Sequence, residues 1–101
     1  MITVVVNFPL PDEMTLEQFK ERMLETVPTY QAVPGLVRKN YLFDDDCRVG
    51  GGAYTFGTRK EAETCFSAEF VERVTNRFGA PVINYFDTPI VVDNEHGVVK
   101  S

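Results

Sequence analysis

The sequence has no tryptophan, one histidine and two cysteines among its 101 residues. Cys47 and Cys65 form neither a Cys-x-x-Cys pair nor a disulfide framework, so reduced thiols are expected. Two separated cysteines cannot supply the four ligands of an iron–sulfur cluster, which excludes an electron carrier of that type. No cluster of histidine, cysteine and carboxylate stands at ligand spacing, so neither a metal nor another cofactor is expected. Basic charge is also scarce. Ten Lys and Arg face 15 Asp and Glu, a net charge of -5, and the basic residues are scattered, which argues against a nucleic-acid partner. No apolar stretch approaches the roughly 20 residues that a membrane span needs, and no basic region precedes the apolar run Ile2 to Phe8. The expectation is a soluble, cytoplasmic protein with no membrane partner.

What is present is ordinary for a globular domain: 44% hydrophobic and 25% charged residues. A folded monomer of 11.4 kDa should expose roughly 5,800 Å², burying about 65% of the surface of its unfolded chain. That suffices for one core, and one domain is expected over residues 1–94, followed by a polar tail over 95–101.

Ile2 to Phe8 is mostly β-branched or aromatic and predicts a first strand, ended by Pro9 and Pro11. Thr15 and Gln18 form a capping box, with Met14 and Phe19 placed to staple it. Leu16, Phe19, Met23, Val27 and Tyr30 then repeat at helical spacing, and Pro28 should kink this helix or start a new turn. Leu36 to Phe43 reads as a second strand, the three aspartates after it as a turn, and Gly50 to Phe56 as the returning strand. The glycine run is not a phosphate loop, because no Lys-Ser or Lys-Thr pair follows it. Thr58 with Glu61 caps a short helix, and Ser67 starts another, with Phe70, Val71, Val74 and Phe78 as its stripe. A last strand is expected from about Val82 to Val92, bulged or bent at Asp87 to Pro89.

This order gives an α+β class: a ferredoxin-like βαββαβ fold with an antiparallel sheet. Strand residues of both parities are apolar, as with Val4 and Val6 beside Val5, so both sheet faces should be covered. The chain has no spare helix for the second face. A homodimer through the sheet face is therefore expected.

Pro34, Gly35 and Leu36 entering strand two with Arg38 and Lys39, Gly51, Gly52, Tyr54 and Phe56 leading to Glu61 and Ala62, and Tyr85, Phe86 and Asp87 in the last strand resemble the dimeric α/β-barrel proteins. Within them the likeness is to the small monooxygenase-like proteins of the YdhR type, and it runs from strand one to about Asn94. The resemblance implies a dimeric α/β barrel and a small-molecule pocket. Its relatives include cofactor-independent oxygenases of polycyclic hydroxyaromatics and haem-degrading enzymes. His96, in a polar segment, does not fit a haem site built around a core histidine.

If Asp44 pairs near Gly50, then Asn40 lies opposite Tyr54 and Arg38 opposite Phe56, on one face, with space left by Gly50 to Gly52. Arg38, Asn40 and Tyr54 then become the candidate catalytic residues: Arg38 to stabilise a phenolate, Asn40 and Tyr54 to position oxygen atoms. Tyr85, Phe56 and Met23 are the candidate substrate-binding residues. The function that the resemblance implies is a cofactor-independent monooxygenase acting on a small aromatic or polyketide-like molecule in a pocket between sheet and helices. The alternative is a non-catalytic, small-molecule-binding dimer of the same fold.

Overall fold

A computed structural model describes all residues, 1–101. Strand β1 (Ile2–Pro9) leads to helices α1 (Leu16–Leu24) and α2 (Val27–Gln31), then to the hairpin of β2 (Leu36–Asp44) and β3 (Val49–Phe56). Helices α3 (Arg59–Cys65) and α4 (Ala68–Arg77) follow, then β4 (Val82–Asp87) and two short strands, β5 (Val91–Asp93) and β6 (Val98–Lys100). Each expected helix start is present. Thr15 accepts from Gln18 in a full capping box, Thr58 accepts from Glu61 and Ser67 from Phe70. Proline at the start of α2 separates it from α1, because proline tolerates only the first helical turn.

Strands β2, β3, β1 and β4 lie in that order in one antiparallel sheet. This is the ferredoxin-like α+β arrangement. Residues opposite one another share a face. Ile2, Val4, Val6 and Phe8 therefore point with Tyr54 and Phe56 toward the helices, where they join Phe19, Met23, Ala62, Phe66 and Phe70 in the core. Phe8 stacks on Phe78 at 4.3 Å between ring centroids, and Phe66 meets Phe56, Tyr54 and Phe70 edge-on.

The other sheet face carries Val5, Leu42, Val82 and Phe86, and the β5–β6 segment borders it only at the end where Thr3, Arg38 and Thr55 lie. Phe86 is 53% exposed. The chain's surface is 6755 Å², above the roughly 5,800 Å² expected of a compact monomer. Its radius of gyration of 14.2 Å likewise exceeds the roughly 12.7 Å expected for this length.

Two expectations at the C-terminal end need correction. The last strand does not continue bent to Val92. It stops at Asp87, and the chain leaves the sheet at Pro89, which cannot donate to a ladder. The polar tail expected over 95–101 pairs back as β6 on β5. The turn between them is closed by Asp93, which accepts from the His96 backbone and contacts its ring at 2.8 Å, and Gly97 takes φ 66°. That bond to His96 holds the Asp93 carboxyl below its usual pKa.

Candidate functional site

The β2–β3 register decides what the site contains. Asp44 pairs with Val49, not with Gly50. Asp44 Oδ1 accepts from the backbone of Asp46 and Cys47, and Arg48 adopts φ 54°, so the turn occupies Asp45 to Arg48 and the returning strand begins one residue earlier than the sequence suggested. A shift of one residue exchanges the sheet faces. Lys39, not Asn40, is opposite Tyr54, and Tyr41 is opposite Gly52.

The proposed trio is therefore not brought together within the chain. Arg38 and Asn40 pair with Thr55 and Ala53 on the uncovered face, both exposed, while Tyr54 is 3% exposed under the helices. Arg38 does line an open groove along the β2 edge. Of the expected substrate-binding residues, Met23 lines the interior cavity described below. Phe56 is fully buried core, 6.3 Å from Tyr54 between ring centroids. Tyr85 lies on the helix-covered face opposite Val4, with the Arg59 guanidinium 4.9 Å from its ring centre.

Lys39 occupies the place that had been expected for a neutral side chain. Its ammonium nitrogen lies 3.3 Å from the ring centre of Tyr30, 3.9 Å from that of Tyr41 and 4.8 Å from that of Tyr54. Gly52 makes room for it. A β-carbon at position 52 would lie 3.2 Å from Lys39 Cε and 2.9 Å from the Tyr54 ring, closer than packed side chains tolerate. Tyr41 is fixed by a 2.6 Å bond to Thr26. Since the Thr26 hydroxyl donates its single proton to the Met23 carbonyl, the Tyr41 hydroxyl is the donor in that pair.

Lys39 has no carboxylate partner: the chain's two ion pairs are Arg48–Asp45 and His96–Asp93. Burial dominates, and it lowers the Lys39 pKa from 10.5 to about 7. The Arg73 guanidinium adds to that lowering. Burial likewise pushes the hydroxyls of Tyr54 and Tyr30 and the thiol of Cys65 upward, so all three stay protonated near neutral pH.

Lys39, Tyr30, Tyr54, Met23, Thr26 and Arg73 border an interior cavity of about 60 Å³, room for roughly two water molecules. On the outside, Lys39, Tyr30 and Tyr41 also border the β2-edge groove, of about 570 Å³, with Val27, Leu36 and Arg38. Lys39 and Tyr30 thus form the wall between a small chamber and an open groove of ligand size. No three His, Cys, Asp or Glu side chains converge as a metal site, and no helix is long and apolar enough to cross a membrane.

Sequence reasoning missed Lys39, Tyr30, Tyr41 and Arg73. The available signal was a lysine in a half-buried strand, placed across from a stretch whose glycines leave space beside its aromatic end. It needed the correct register to be read.

No protein-family model matches the chain, and no curated protein sequence matches it. Solved structures do. One is described as a candidate antibiotic biosynthesis monooxygenase from Deinococcus radiodurans, 6% identical, covering 92% of this chain and 97% of its own, with a TM-score of 0.69. A monooxygenase from the gene ActVA-Orf6 of Streptomyces coelicolor, solved with nanaomycin D, is 20% identical over 86% of each chain, TM-score 0.66. SnoaB, a cofactor-independent oxygenase from Streptomyces nogalater, is 15% identical over 86% of this chain and 91% of its own, TM-score 0.62. The chain therefore has the fold of these monooxygenases.

Proposed function

We propose that this protein is a cofactor-independent monooxygenase of a small phenolic or polyketide-like aromatic, and that Lys39 is its acid–base residue. The observation carrying the proposal is the Lys39 amine, held against three tyrosine rings without a carboxylate, at the wall between groove and chamber. The likeness in fold to SnoaB and to the ActVA-Orf6 protein supports the reaction class.

An aromatic ring lies in the β2-edge groove, with its hydroxyl at Lys39 Nζ and Arg38 at the rim. An amine with a pKa about 7 is half unprotonated at neutral pH, the condition under which a base works best. It takes the hydroxyl proton, and the resulting ammonium stabilises the oxyanion. The electron-rich carbanion form then bonds to one atom of dioxygen, for which the inner chamber has room. The O–O bond breaks as that carbon gives up its remaining hydrogen as a proton, one oxygen staying as a quinone carbonyl and the other leaving as water with that proton and the one Lys39 holds. Tyr54 remains neutral, and its hydroxyl, directed to that of Tyr30, helps to hold the Tyr30 ring against Lys39.

Assembly is part of the proposal. A second copy covering Val5, Leu42 and Phe86 would bury the open sheet face and complete a dimeric barrel, and the excess surface of the single chain supports this. The order of the Pro34-Gly35 turn, the glycine strand and the Tyr85-Phe86-Asp87 strand supports placement with the YdhR type. The free thiols Cys47 and Cys65 support a reducing, cytoplasmic setting.

The test is oxygen uptake by metal-stripped protein with anthrone-like, quinol and flavonol compounds, heat-denatured protein serving as control. Uptake with a quinone or hydroxylated product, abolished in Lys39→Met, is the expected result. No uptake with a saturable thermal shift would instead assign a binding module.

A further inference from the structure

Of the four lysines, Lys20, Lys60 and Lys100 are exposed and Lys39 alone is withdrawn between sheet and helices. Every element packed around it presents a neutral or like-charged group: Tyr41 on its own strand β2, Tyr30 on α2, Tyr54 on β3, Cys65 on α3 and Arg73 on α4. None is a carboxylate. A primary amine in such surroundings, bordering both a small chamber and an open groove, has the properties of a covalent amine nucleophile.

We infer that Lys39 is a carbonyl-binding site, whose ε-amine adds to a small aldehyde or ketone and forms an imine. The nitrogen bonds to the carbonyl carbon, and the carbonyl oxygen takes a proton, giving a carbinolamine. The C–O bond then breaks. That oxygen leaves as water with the two amine hydrogens, and a C=N bond remains. No oxidant or reductant is consumed. The Tyr54 ring centre lies 4.8 Å from the amine, and burial keeps its hydroxyl protonated. The chamber of about 60 Å³ selects compounds of about one to three carbons, since roughly two waters' volume is available behind the amine.

The chemistry is independent of the oxygen reaction, although both use Lys39. About half of Lys39 is unprotonated at pH 7, against fewer than roughly one in a thousand for an exposed lysine.

The experiment is reductive trapping. The wild-type protein is incubated anaerobically with acetaldehyde and sodium cyanoborohydride at pH 7, and alkylated lysines are mapped by peptide mass spectrometry. Lys39 is expected to be alkylated roughly 100-fold faster than Lys20, Lys60 and Lys100, with the advantage shrinking toward pH 10. Loss of the fast phase in Lys39→Arg, with the three exposed lysines unchanged, would support the assignment. Equal labelling of all four lysines at pH 7, or Lys39 labelling slowest, would overturn it. Because oxygen is excluded, trapping at Lys39 in a protein that shows no oxygen uptake supports the imine alone. Oxygen uptake without trapping overturns the imine and leaves the oxygenase standing.

Discussion

The Lys39 ammonium nitrogen sits 3.3 Å above the centre of the Tyr30 ring, from a strand at the sheet edge to a helix crossing it. A cation gains from an aromatic face, on the order of 1–2 kcal/mol when water is excluded. Burial without an anion opposes that gain and is the largest cause lowering the Lys39 pKa to about 7. The opposition of these two effects makes the residue useful for proton transfer.

It also makes stability depend on pH. The folded pKa of Lys39 is depressed, so below about pH 7 the folded state carries a buried charge at full penalty, and the penalty fades as pH rises from about 7 toward 10.5. Lys39→Met, which keeps the stem and drops the charge, should raise Tm by roughly 5 °C at pH 6 and by less at pH 9. Calorimetry at the two pH values checks this; an equal shift at both would count against a titrating Lys39.

Turnover should separate Lys39 from the residues singled out in the sequence. Lys39→Met is expected to lower kcat by at least roughly 100-fold, the range for loss of an acid–base residue. Arg38→Ala, at the groove rim, should raise KM several-fold and leave kcat within about a factor of three. Asn40→Ala, on the far face of the sheet, should change neither.

Tyr54→Phe removes one hydroxyl from a core ring and keeps its packing against Phe66, 4.8 Å away. The expected outcome is a fall in kcat of roughly 10-fold and a stability change under about 1 kcal/mol by urea denaturation. A large stability loss with unchanged kcat would make the hydroxyl structural.

Gly52→Ala is expected to destabilise by roughly 1–3 kcal/mol, because its methyl group would press on Tyr54 and on the Lys39 stem. It should also slow alkylation of Lys39 relative to Lys20.

Light scattering at micromolar concentration should report a dimer, and Phe86→Asp on the uncovered face should shift it toward monomer with the helical circular dichroism intact. A wild-type monomer would remove the two-sheet packing.

Element order was legible in the sequence because capping residues, prolines and periodicity are local signals. Thr15, Thr58 and Ser67 each start the helix expected of them. Both sheet faces reading as apolar was also visible. The site was not, because it depends on a turn whose length is set by Asp44 bonding to Asp46 and Cys47 and by the positive φ of Arg48. Nothing local announces that geometry, and one residue of error exchanged Lys39 for its neighbours Arg38 and Asn40. The β5–β6 hairpin was hidden for a related reason: Val98 to Lys100 is too short and too polar in its surroundings to read as a strand without its partner.

The most direct measurement is the titration of Lys39 by nuclear magnetic resonance of its side-chain carbon-13 nuclei, assigned with Lys39→Arg. A midpoint near pH 7 is expected. A midpoint above about 9.5, close to that of an ordinary lysine, would contradict the assignment of Lys39 as the base and as the carbonyl-binding amine.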